Sequence, residues 1–162
     1  MAFSIAVFGM VLWVVWWALL FAMCITLYRA VRLPSLPWIA LYYAVGVVAV
    51  PVMQYYGHQI VAAGHSAPNM SSSASARQAF FASPLALVTS LATIFDYGGD
   101  LLMITLAFAE AAVLVTKVYP DAQSRLLQAL TVVHLHTRAV GVAAVVLTAL
   151  LPVPAMIYFY TL

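Results

Sequence analysis

From Ala2 to Tyr28 the chain carries no Asp, Glu, Lys or Arg, and three later stretches, 37–63, 84–118 and 138–161, are nearly as apolar. Each exceeds the roughly 20 residues that carry an α-helix across a ~30 Å hydrocarbon core. Lipid offers the backbone no hydrogen bonds, so runs of this length satisfy themselves internally, as helices. The remaining composition agrees: only 6% of residues are charged, against about a quarter in soluble domains. Mean hydropathy is +1.09. The expected fold is all-α, a polytopic integral membrane protein with four transmembrane helices in a bundle and an amphipathic helix before the last span. With 162 residues it is read as a single membrane domain, 1–162, with no room for a separate soluble unit.

The first span, 2–28, closes on Arg29 and Arg32. Its Trp13, Trp16 and Trp17 recur at i, i+3, i+4 and form one aromatic face, deep in the span and away from the interface where tryptophan concentrates. The plain reading is helix packing; the functional one is a wall for a lipid, quinone, haem or pigment. Leu33-Pro34-Ser35-Leu36-Pro37 stops one helix and starts the next. The second span, 37–63, has a kink site at Pro51 and a polar far end with Gln54, Tyr55, Tyr56, His58 and Gln59. Residues 64–82, rich in serine and alanine, are expected to form a loop that contains the glycosylation pattern Asn69-Met70-Ser71.

Ser83-Pro84 opens the third span, 84–118. One helix of that length would measure ~50 Å at 1.5 Å per residue, so a break is expected at Gly98-Gly99, a recognised kink site. An amphipathic helix over 121–137, with Leu126, Leu127, Leu130 and Val133 on one face, leads to the last span, 138–161, and its Pro152-Val153-Pro154 bend. Arg29, Arg32, Lys117, Arg125 and Arg138 fall on one side of the membrane and Arg77 on the other. The excess of positive charge marks the cytoplasmic side, which puts both termini and loop 64–82 on the non-cytoplasmic side.

Three of the four acidic residues lie inside the third span, and they are the chain's most informative side chains. Asp96 and Asp100 are four residues apart. A helix that runs through Asp96-Tyr97-Gly98-Gly99-Asp100 sets both carboxylates on one face, where they could share a proton or a cation. A break at the glycines instead makes Asp100 the N-cap of the next segment and leaves Asp96 near water. Glu110, among Ala107, Phe108, Ala109, Ala111 and Ala112, has no such escape. A carboxylate at that depth costs roughly 2.5–3.5 kcal/mol on insertion scales and needs protein, water or a cation beside it. His134, Arg138 or a residue on another subunit are its expected partners. His58 stands near the entrance of the polar region, and Gln54 is a further polar partner.

Cys24 is the only cysteine, so no intrachain disulfide and no cysteine metal cluster can form. His58 and His65 are seven residues apart and His134 and His136 two, which is not the i, i+3 or i, i+4 spacing of a helical metal pair. No metal site or cofactor is assigned. Folding that gathered His58, Asp96 and Asp100 would change that reading. The net charge of +2 is too small, and the basic residues too scattered, for a nucleic-acid surface.

No nucleophile elbow, phosphate loop, H-E-x-x-H motif or dinucleotide fingerprint occurs, which removes the positive case for an enzyme. Three functions remain, in order. The first is a non-catalytic helical subunit of a larger integral membrane complex, in contact with the lipid bilayer and with other membrane subunits or copies of itself. The second is a proton or small-cation channel or carrier that works through Asp96, Asp100 and Glu110, with His58 near its entrance. The third is an intramembrane enzyme acting on a lipid-soluble substrate, with His58 and an aspartate as acid and base.

Overall fold

Residues 2–65, 73–121 and 124–161 are described by the structure, a computed structural model. Their elements run α1 (Ala2–Val31), α2 (Leu36–Ala62), α3 (Ala74–Phe81), α4 (Pro84–Val118), α5 (Arg125–Leu135), α6 (Thr137–Leu150) and α7 (Val153–Thr161). Among the described residues there is no strand. Val11–Ala30, Leu36–Ala62, Pro84–Val118 and Thr137–Thr161 are long and apolar enough to cross a membrane. The protein is an all-α, multi-pass membrane protein. The Asn69-Met70-Ser71 pattern lies outside the described residues.

Local chemistry sets the helix ends. Arg32 adopts a left-handed conformation (φ 54°) and its N–H bonds to the Tyr28 carbonyl at 2.9 Å, which closes α1 as a glycine commonly does. Ser35 is the N-cap of α2, with Pro37 in the first turn where its missing N–H is harmless. The stretch expected as a loop over 64–82 holds a short helix. Ser73 accepts the Ala76 N–H at 3.2 Å and the alanine-rich α3 follows. Of the expected helix 121–137, residues 122–123 lie outside the described residues, and α5 begins where Ser124 accepts the Leu127 N–H at 3.1 Å. Leu127, Leu130 and Val133 are half-buried, whereas Leu126 is exposed. The last span bends at Leu151-Pro152, between α6 and α7.

α6 and α7 pack against both α2 and α4, α1 packs chiefly on α2, and α5 folds back along α4. The main core joins Trp17, Tyr42, Val50, Met103, Leu106, Ala144 and Leu151. A second cluster, Ile60, Leu85 and Ala155, closes the opposite end of the bundle.

The expected break at Gly98-Gly99 does not occur: α4 is one helix of 35 residues. A Cβ on Gly99 would lie 3.0 Å from Thr148 Oγ1 and 3.2 Å from Tyr42 Cε2, and one on Gly98 would lie 3.2 Å from Leu147 Cδ1. The glycines thus serve the close approach of α4 to α6 and α2, as small residues do where helices pack in lipid. The excess length is absorbed elsewhere. From Pro84 to Glu110, α4 spans as many residues as the 27 of α2. Its last eight residues, ~12 Å long, project past the α1–α2 turn with α5 against them.

Close approach also fixes α1. A Cβ on Gly46 would fall 1.5 Å from Trp17 Cζ3, so the buried indole occupies the space a side chain would need. Gly46→Ala is therefore expected to displace Trp17, at a cost of about 1–3 kcal/mol. A lowered midpoint of thermal unfolding in detergent and a shifted tryptophan emission would report it. Gly9→Ala, where nothing lies within 4 Å of the added Cβ, should lower nothing. An unchanged midpoint in Gly46→Ala would mean that this contact does not hold α1.

Candidate functional site

Glu110 is 5% exposed and meets two elements. Its Oε1 accepts the backbone N–H of Ser35 at 3.1 Å, and its Oε2 lies 3.4 Å from Nδ1 of His134 on α5. Ser35 is itself buried and its side chain makes no capping bond, so the carboxylate of α4 caps α2 from outside. A negative group there also complements the positive end of the α2 dipole. His134 is one of the expected partners, and Arg138, another, is exposed. The residue that no bend could move out of the membrane is level with the α1–α2 turn, so its depth is that of the bundle's basic end.

Asp96 and Asp100 lie near the middle of the bundle. Because α4 is continuous, they share one side of it, one turn apart. Asp100 is therefore not an N-cap. Its Oδ1 accepts the hydroxyl proton of the buried Tyr42, which stacks on Trp17 at a ring-centroid distance of 5.6 Å. Asp96 is exposed, and among the described residues it has no hydrogen bond or ion pair. It is ~18 Å along the axis from Pro84 and ~21 Å from Glu110.

No family model matches this chain, and no curated protein or solved structure does. Its polar residues must be read from their own geometry.

His58 is not brought to the aspartates. α2 and α4 run antiparallel with Tyr42 level with Asp100, so His58 lies ~24 Å further along α2 and well beyond Asp96. It lines a groove between α2 and α4 together with Gln54 and Thr89. The acid–base pair of His58 with an aspartate is thus not assembled. Among the described residues, no group of three or more His, Cys, Asp or Glu could hold a metal ion.

The tryptophan face divides. Trp17 is buried against Tyr42 and Tyr43, and Trp13 flanks it at 6.0 Å beside Pro51 and Gln54. Trp16 is 60% exposed, because at 100° per residue it points well away from Trp17. Packing on α2 accounts for Trp17, while Trp13, half exposed, covers only its edge.

Tyr42 and the Ser35 N–H are the participants that sequence reasoning missed. Ser35 two residues before Pro37 is a readable N-cap signal, but nothing local indicates that its own N–H is satisfied by a residue on another helix. Glu110→Ala would leave that buried N–H without a partner and is expected to destabilise the protein by about 1–3 kcal/mol. Glu110→Gln keeps an acceptor and should lose less. Thermal unfolding in nanodiscs checks the order of the two, and equal midpoints for Glu110→Ala and wild type would contradict the capping role.

Proposed function

We propose that this protein is a non-catalytic helical subunit of a larger integral membrane complex and docks through the side of α4 that carries Asp96. The observation that supports this is the exposed carboxylate of Asp96, midway along a membrane-crossing helix and without a partner of its own among the described residues. An acid presented to hydrocarbon costs roughly 2.5–3.5 kcal/mol, which a facing donor or cation on a neighbouring helix offsets. The chain's own cations cannot fill that role in a parallel copy. Arg29, Arg32, Lys117, Arg125 and Arg138 cluster at the Glu110 end and Arg77 is on α3, so none lies at the depth of Asp96. A different subunit is the better fit.

Purification from native membranes in mild detergent should bring down the same membrane neighbours repeatedly. Asp96→Ala should lose them with helix content unchanged, and Asp96→Glu should retain them. A monodisperse wild-type monomer, or undiminished recovery with Asp96→Ala, would sink this reading. The Tyr42–Asp100 bond on an unbroken α4 favours a second one, in which Asp96 and Asp100 relay a proton or small cation. Vesicles that contain the chain alone should then carry flux that Asp96→Asn and Asp100→Asn abolish. Unchanged flux in both removes the carboxylates from transport.

The same reading places the basic end in the cytoplasm and both termini and α3 on the opposite side. In a Cys24→Ala background, an impermeant maleimide added to intact cells should label Ala79→Cys and spare Gln128→Cys until the cells are permeabilised. The reverse pattern would invert the topology.

A further inference from the structure

We propose that the groove between α2 and the first half of α4 binds an uncharged lipid whose head carries two hydrogen-bonding oxygens. The groove exists because α6 and α7 pack against both helices, so that α2 and α4 stay apart on the other side. Its volume is about 420 Å³, within the range of small-molecule sites. Small residues keep it open. Gly57 lines it and a Cβ there would meet nothing within 4 Å, while Ala92 faces it from α4.

The polar side chains in its wall are Gln54, His58, His65 and Thr89. Gln54 and His58 are four residues apart on α2, on one face and ~6 Å apart along the axis. Among the described residues, the Gln54 amide has no hydrogen-bond partner although it lies within the span, where an unsatisfied amide is costly. Across the groove, Thr89 Oγ1 donates to carbonyls of its own helix and so keeps a lone pair for a ligand. At the outer end His65 is held by Tyr158, with Nδ1 and the hydroxyl 3.2 Å apart.

Among the described residues, no Asp, Glu, Lys or Arg lines the groove, so no carboxylate, ammonium or guanidinium stands ready to pair with a charged head. An uncharged head needs no such partner. Two oxygens a few bonds apart could meet the amide and the imidazole together, and an alkyl or isoprenoid tail would lie along Met53, Val88 and Leu85. Two lipid classes carry this chemistry: a glyceride, through its hydroxyl and ester carbonyl, and a quinone, through its two ring carbonyls.

The test uses the full chain in phosphatidylcholine nanodiscs with diazirine analogues of diacylglycerol and of a short-chain quinone. Saturable labelling by one of them should map to peptides that cover 53–65 and 85–92, and the probe that labels identifies the class. Gly57→Leu, which fills the groove where space is open, should cut labelling about tenfold. Gln54→Leu, of similar volume but without the amide, should raise the half-saturating concentration several-fold. Helix content and thermal midpoint establish that both variants are folded. A tenfold excess of phosphatidylglycerol should compete poorly. Non-saturable labelling by both probes, labelling unaffected by either folded variant, or competition by phosphatidylglycerol as strong as by the unlabelled probe lipid would overturn the proposal.

Discussion

Glu110 sets the level at which three helices meet. Its carboxylate accepts the Ser35 N–H at the start of α2, belongs to α4, and lies beside His134 near the end of α5. The antiparallel register of α2 against α4 agrees with that level, and so do the relative heights of Tyr42, Asp96, Asp100 and His58. Tyr42, ~10 Å into α2, comes to Asp100, ~15 Å back along α4. Asp96 falls near the midpoint of the crossing. The same register carries His58 to the far end of the bundle, out of reach of either aspartate, and leaves α5 and the tip of α4 as a helical hairpin beyond the α1–α2 turn.

Above that anchor the helices are held by shape. Lipid is as apolar as leucine, so burial of apolar surface alone does little to bring membrane helices together, and notches that admit large side chains or close backbones take over. Gly46 receives the Trp17 indole, Gly141 receives Trp38, and Gly99 lets α4 approach Tyr42 and Thr148. These contacts lie on the faces that form the main core, in which Trp17, Tyr42, Met103 and Ala144 meet. Each glycine is therefore a place where another helix comes close, and none of the three marks a point at which its own helix yields.

The two faces that remain differ in chemistry. Along α4 the Asp96 carboxyl is exposed at mid-length, which on the proposed reading meets a partner able to share it. Between α2 and α4 the wall is largely aliphatic with a few hydrogen-bonding side chains and, among the described residues, no Asp, Glu, Lys or Arg, which on the proposed reading suits an uncharged lipid. On the two proposals, one side of α4 would meet a protein neighbour and another a small hydrophobic molecule.

Helical class, membrane insertion and the presence of four spans were legible in the sequence, because each depends on the number of consecutive apolar residues and on the need to satisfy the backbone in lipid. That Glu110 calls for a partner was an expectation of the same kind, since a carboxylate left alone in an apolar run is costly. Which partner it takes is a tertiary matter. The Ser35 N–H belongs to another helix, and only the relative height of α2 and α4 brings it there. The glycine pair shows the limit most plainly. Gly98-Gly99 is equally compatible with a hinge and with a close helix contact, and local propensity does not distinguish them. The neighbours Tyr42, Leu147 and Thr148 decide for contact, because they pack into the space that side chains would have filled.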